Sequence, residues 1–298
     1  MPLFSVIIPT YNRLALLQRT LDSVWAQRFT DFEVAVVDDG STDGTAEWLD
    51  LHGRGTRVLK QTNRGPGAAR NLGASQAEGE YLAFLDSDDL WFPWTLEIFT
   101  KLIREFRSPA ILSAKLVEFS DETELTSVSE EPVKADPFPD YFASSRNGYF
   151  VGSGMSVLQR DAFLRTGGYT SQKVYAEDHD LILRMGTAAG FVQVLRPATI
   201  AWRRHAESAT GGLQHGFGGG IRWLLEQEHR GIYPGGEKRA RERRTIISRH
   251  VRPAALGDLR RGKKKEAWEL YRATFRWNLQ LRRWKFLAGF PLRACFVR

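Results

Sequence analysis

Over the first hundred residues, short strand-like runs alternate with segments of helical period. The runs are 5–8, 32–37, 58–61 and 81–85, and each gives way to turn-forming or charged residues. Between the first two, residues 14–27 place Leu17, Leu21 and Val24 on one helical face, and 45–51 and 68–76 also read as helices. The last run, 81–85, is continuously apolar without alternation, which marks a strand buried on both faces. A strand–helix–strand–helix order then argues for a mostly parallel, Rossmann-like sheet flanked by helices, with right-handed crossovers.

Further along, 94–106 reads as a helix, 110–119 as a strand, and 120–140 as a polar, mobile loop. Residues 151–158 are strand-like despite two glycines, 160–166 is a short helix, 177–189 a longer one, and 191–195 and 199–203 are strands. The glycine-rich stretch 206–220 reads as flexible, and from Ile221 the chain turns basic and helical.

Charge divides the chain. Residues 216–298 hold 21 Lys and Arg against 7 Asp and Glu, a net of +14, whereas 1–215 hold 21 against 28, a net of −7. We therefore expect a catalytic domain over 1–215 and a basic helical region over 216–298. The single cysteine, Cys295, excludes an internal disulfide. No apolar stretch approaches the roughly 20 residues needed to cross a bilayer. The start of the chain lacks a basic n-region. A cytoplasmic location is the expectation, with peripheral contact at the inner face of the cell membrane as its extension.

In a parallel sheet the ends of the first four strands share one edge, where α/β sheets bind ligands. That edge would gather Pro9 to Asn12, Asp38 to Ser41, Asn63 to Arg70, and Asp86, Ser87 and Asp88. Pro9 stiffens its turn, Tyr11 offers a ring to a base, and Asp39 can accept from a base N–H or a ribose hydroxyl. Arg70 can approach a phosphate. Asp86 and Asp88, spaced i, i+2, can face one hard cation, which neutralises a diphosphate.

These segments, in this order and spacing, resemble the family 2 inverting glycosyltransferases of the GT-A fold over roughly residues 3–205. The resemblance implies that Pro9, Tyr11 and Asp39 bind the nucleoside. It also implies that Asp86 and Asp88 form a DxD motif holding Mn²⁺ or Mg²⁺ against the donor's two phosphates. Glu177-Asp178 is similar to the family's ED motif, which makes Asp178 the general base, and His205 joins the metal or diphosphate in some members. The implied reaction moves a sugar from a nucleotide-diphosphate donor to a hydroxyl of a saccharide or lipid-linked acceptor, as in polysaccharide and cell-envelope synthesis. Two alternatives are a non-catalytic nucleotide-binding scaffold of the same fold and a sugar-phosphate nucleotidyltransferase. The latter wants a glycine-rich phosphate loop where this chain has Pro9-Thr10-Tyr11-Asn12.

Plainer readings apply to several neighbours. Asp38 closes the turn that projects Asp39. Asp89 and Asp180 read as helix caps, His179 as a surface residue, and Trp91 and Trp94 as core rather than sugar platform. Gly152 and Gly154 leave room for an acceptor or serve a bulge. Residues 266–287 read as one basic helix with Trp268, Tyr271 and Phe275 among arginines. That helix suits either an anionic membrane surface or packing on the protein itself. No motif supports nucleic-acid binding.

Overall fold

In a computed structural model the chain is described over residues 1–53, 55–172, 174–205 and 213–296, with the side chains of 213–217 outside the description. Its contacts divide into two units. The first comprises residues 1–141, 150–171 and 188–205; the second comprises 142–149, 172–187 and 206–298.

The first unit is built on an eight-stranded sheet. Its strands are β1 (Phe4–Thr10), β2 (Phe32–Asp38), β3 (Thr56–Lys60) and β4 (Tyr81–Phe84). A short β5 (Leu90–Trp91) follows, then β6 (Ile111–Ser113), β7 (Leu116–Phe119) and β8 (Lys134–Phe138). The last are β9 (Ser156–Gln159), β10 (Phe191–Arg196) and β11 (Ile200–Arg203). The large sheet runs β3-β2-β1-β4-β9-β6-β10-β8, with β9 and β8 antiparallel to their neighbours and the other pairings parallel. A second sheet runs β5-β11-β7.

All seven residues of β1 are buried, Ser5 and Thr10 included. Helices α1 (Leu14–Trp25), α2 (Thr45–His52), α3 (Pro66–Gln76), α4 (Thr95–Glu105) and α5 (Arg160–Arg165) complete the unit. Leu17, Leu21 and Val24 of α1 are buried, each contributing about 2 kcal/mol of docking free energy. Trp91 and Trp94 belong to the core, and the Trp94 indole N–H donates to the Ala198 carbonyl at 2.8 Å.

Three expectations for this unit are corrected. Residues 110–119 form two strands in different sheets, β6 and β7, because the chain leaves the large sheet at Ala114-Lys115. The expected loop 120–140 holds a 3₁₀ helix, Glu122–Ser127, and strand β8. The 3₁₀ turn starts with a reciprocal capping box between Asp121 and Glu124, which satisfies two otherwise orphaned N–H groups. Of the strand expected at 151–158 only 156–158 belongs to a strand, β9; Ser153–Met155 is a 3₁₀ turn.

The second unit is helical: α6 (Glu177–Arg184), α7 (Leu213–His229), α8 (Ala240–Arg260), α9 (Lys264–Gln280) and α10 (Trp284–Phe296). Helix α6 stops at Arg184, short of the expected Ala189. The glycine-rich stretch expected to be flexible is helical from Leu213, while 206–212 lie outside the described residues. The single helix expected over 266–287 is two, broken at Arg282, whose φ of 55° is left-handed. Tyr271 of α9 stacks on Phe290 of α10 at 4.8 Å, so the aromatics that looked membrane-facing partly join the two helices. An ion pair buried at both ends, Glu228–Arg243 at 2.7 Å, links α7 to α8.

Candidate functional site

The four strand-end segments converge as the topology demands. Pro9 and Thr10 lie in register with Val37 and Asp38, and β1 also pairs with β4. Tyr11, the next residue, is 46% exposed, so its ring stands open rather than packed. Asn12 ties the first two loops together: its N–H donates to Ser41 Oγ at 3.0 Å, and its Oδ1 accepts from the Thr42 N–H at 2.7 Å.

Asp38 accepts from the Ser41 N–H at 2.9 Å and closes its turn. Asp39 is buried and already engaged. Its carboxylate accepts from the Arg64 and Gly65 N–H groups, both at 2.8 Å, and from Gln61 Nε2 at 2.6 Å. The carboxylate thus shapes the loop after β3, and either oxygen reaches a ligand only by sharing.

The acid turn 85–89 carries three carboxylates in three settings. Asp86 Oδ1 accepts from Arg70 at 2.5 Å; that guanidinium is buried on α3 and lies 5.4 Å from the Tyr169 ring centre. Arg70, expected at a phosphate, therefore neutralises the first acid. Gly154 presses on the same carboxylate, since a Cβ there would fall 2.7 Å from Asp86 Oδ2. This contact, rather than a bulge or open acceptor space, accounts for the glycine.

Asp88 Oδ2 accepts from the Arg13 guanidinium and lies 3.0 Å from His205 Nε2. Asp89 caps no helix. Its Oδ1 accepts from the Arg203 N–H at 2.9 Å, which ties the turn to β11. Burial, then the charges of Asp86 and Asp88, hold Asp89 well above the usual carboxylate range. Behind this cluster Glu122 joins Arg19 and Arg203, and their hydrogen bonds draw its pKa down to about 2. Arg13, Arg203 and Glu122 join this cluster without having been singled out from the sequence. Arg13 alone carried a local signal, a cation directly after Tyr11-Asn12 at a strand end.

A divalent cation fits this donor set in one way. Among the described residues no three His, Cys, Asp or Glu side chains converge as a self-sufficient metal site. Asp88 and His205 do meet, with Asp86 two residues away. Hard cations of this kind commonly take one or two protein carboxylates and fill the remaining positions with substrate phosphates and water.

Asp178 lies in the second unit, in the first turn of α6. The backbone entering that turn is strained: Ala176 has a φ of 132°, a region costing of order 1–3 kcal/mol for a residue with a side chain. Gly220 of α7 approaches so closely that a Cβ would fall 1.3 Å from the Tyr175 carbonyl oxygen. Asp178 Oδ1 accepts from the His179 N–H at 2.7 Å and lies 2.7 Å from its ring Nδ1. His179 is therefore no surface residue. Its ring meets His250 edge-on at 4.4 Å. Burial opposes a charge on His179, but Asp178 outweighs it and raises the pKa. Burial, then the charges of His179 and Arg249, pushes His250 down to about 3. Asp180 is not a cap either; it accepts from Arg184 Nε at 2.9 Å and from the Tyr233 hydroxyl at 3.1 Å.

The glycosyl transferase family 2 profile matches residues 5–167, more than half of the chain. The chain belongs to that family. An uncharacterised glycosyltransferase of Rickettsia felis is 44% identical over 103 residues, 34% of this chain and 17% of that protein. The poly(ribitol-phosphate) beta-N-acetylglucosaminyltransferase TarS of Staphylococcus aureus is 40% identical over 115 residues, 37% of this chain and 20% of TarS. The match thus spans under a quarter of either relative's length.

Among solved structures, TarS 1–349 with UDP-GlcNAc aligns with a TM-score of 0.72 at 22% identity, covering 92% of this chain and 80% of that one. A mannosyltransferase of Pyrobaculum calidifontis with GDP-Man and Mn²⁺ aligns with a TM-score of 0.55 at 20% identity, covering 99% and 86%. At such identities the likeness establishes the fold, which is GT-A.

Proposed function

We propose that the chain is a metal-dependent, inverting glycosyltransferase that moves a sugar from a nucleoside-diphosphate donor to an acceptor hydroxyl. The observation that supports this most is the acid turn. Asp86 and Asp88 stand at the C-terminal edge of the parallel strands, paired with Arg70, Arg13 and His205. A diphosphate arriving there can take those cations over.

In this reading Pro9, Tyr11 and Asp39 form the nucleoside side. Tyr11 stacks on the base, and Asp39 fixes the loop beneath it while sharing a hydrogen bond. Asp88, with Asp86 and His205, would hold Mn²⁺ or Mg²⁺, whose chemistry is to offset charge on the departing diphosphate. Arg13 and Arg70 add to that neutralisation. Asp178 accepts the proton of the acceptor hydroxyl as its oxygen bonds to the anomeric carbon. The bond from that carbon to the diphosphate breaks with its electron pair on oxygen, and the single displacement inverts the centre. His179 holds the Asp178 carboxylate in place through its N–H and ring nitrogen. The acceptor is a saccharide or a lipid-linked saccharide.

The test is Asp178→Asn with a panel of nucleotide sugars and Mn²⁺. Thermal shift should show undiminished nucleotide binding, while nucleoside diphosphate release falls by about 10³-fold. Transfer that persists in this variant assigns the proton to another group. Binding without release in the unmodified protein would favour a nucleotide-binding scaffold.

A further inference from the structure

The second unit contains a surface that the transfer reaction does not use. Helix α10 is apolar on two sides. Phe286, Phe290 and Ala294 are buried, with Phe290 stacked on Tyr271 and edge-on to Trp268 at 5.2 Å. Its other side is apolar as well, yet uncovered. Trp284 is 57% exposed, Leu292 63% and Phe296 84%. Trp284, Ala288, Leu292 and Cys295 follow one another at i, i+4, i+8 and i+11, a single stripe on a helix of 3.6 residues per turn. Single exposed apolar residues are ordinary on protein surfaces, whereas a contiguous stripe marks a contact surface.

The charges beside the stripe say what can cover it. Helix α10 contains no acidic residue; its ionised groups are Lys285 and Arg293, both exposed. The preceding turn adds Arg282 and Arg283, and the net charge from 216 to 298 is +14. A second copy would bring the same positive face against this one, and like charges oppose that contact. A surface that is apolar inside and anionic outside satisfies both the stripe and the cations.

We propose that α10 is an interfacial helix that seats this protein on an anionic lipid bilayer, with Trp284, Leu292 and Phe296 entering the headgroup boundary. No helix among the described residues is long and apolar enough to cross a membrane, so α10 lies along the surface. Tryptophan suits that depth, since its ring is apolar and its N–H can stay wet. The inference does not rest on the glycosyltransferase reading, and its test requires no turnover.

The full chain is mixed with phosphatidylcholine vesicles or with vesicles containing roughly 30% phosphatidylglycerol, and binding is read by flotation. We expect at least about tenfold more protein on the anionic vesicles, falling steeply with salt as surface charge is screened. Trp284→Glu with Leu292→Glu should lose about tenfold or more of that binding with an unchanged melting profile. Leu51→Glu, an exposed apolar residue of α2, should leave binding unaltered and serves as the control. Equal binding of the unmodified protein and the double variant overturns the proposal, as does indifference to lipid charge. So does a lipid-free dimer that Leu292→Glu dissolves, because the occupant of the stripe would then be a second copy.

Discussion

Ion pairs in the two units do different work. The pairs on Asp88 at the strand ends of the first unit have partly exposed cations, Arg13 at 23% and His205 at 21% of their side-chain surface, while Arg70 beside Asp86 is only 5% exposed. In the second unit Glu228 and Arg243 face each other with 3% and 5% exposed. Asp258 is likewise buried between Arg222 and Arg261. The pairs on Asp88 are open to exchange with an incoming anion, because their cations are partly exposed. The second kind is fixed: removing one partner strands a buried charge. Buried pairs such as Glu228–Arg243 therefore signal architecture, whereas the pairs on Asp88 are the exchangeable ones that the proposed function needs.

Asp88→Ala tests the exchangeable kind most severely. It should lower transfer by about 10³-fold or more, some 4 kcal/mol of transition-state stabilisation, while the melting temperature stays level. An unfolded Asp88→Ala protein would make that pair structural and erase the distinction. Glu228→Ala should do the reverse, costing about 3–5 kcal/mol in urea unfolding because Arg243 is left buried and unpaired. A loss near zero would place that pair with the surface kind.

Gly220→Ala sharpens the contrast within the second unit. Its Cβ would collide with the Tyr175 carbonyl, displacing the turn that carries Asp178. Activity should drop about 10²-fold, with nucleotide affinity retained in a direct binding measurement.

The smallest effect is on pH dependence. His250 has a folded pKa near 3, below its ordinary 6.5, so the unfolded chain binds the extra proton. Stability should then fall as pH drops from 6.5 toward 3, by at most ~1.4 kcal/mol per unit. His179, raised instead, contributes stability that is full below its ordinary pKa and lost as pH rises through the folded one. His250→Leu should flatten the acid side of a stability–pH curve and leave that of His179 in place.

The parallel core was legible because β1 and β4 are buried throughout and read as largely apolar runs between helical segments, although the edge strand β3 is only partly buried. The acid turn was legible because three carboxylates directly after such a run fall at the sheet edge, where a core strand gives way to a ligand site. Local sequence could not supply the partners. Asp86 with Gly154, and Asp89 with Arg203, are brought together only by strands far apart in sequence. The run Gly218-Gly219-Gly220 misled for a related reason. Glycine weakens a helix by propensity, but here Gly218 and Gly220 allow close approach to the Asp258 carboxylate and the Tyr175 carbonyl. His179 was misplaced because charged neighbours suggested solvent, whereas Asp178 and His250 enclose it.

The brevity of the acid turn has an evolutionary consequence. Strand β4 ends at Phe84 in the large sheet, and β5 begins at Leu90 in the small one. Only residues 85–89 span the gap, and Asp89 is pinned to the strand that pairs with β5. One inserted residue would turn the side chains of β5 to the opposite face and break the Asp89 tether together. The length of this turn is thus held by two sheets at once.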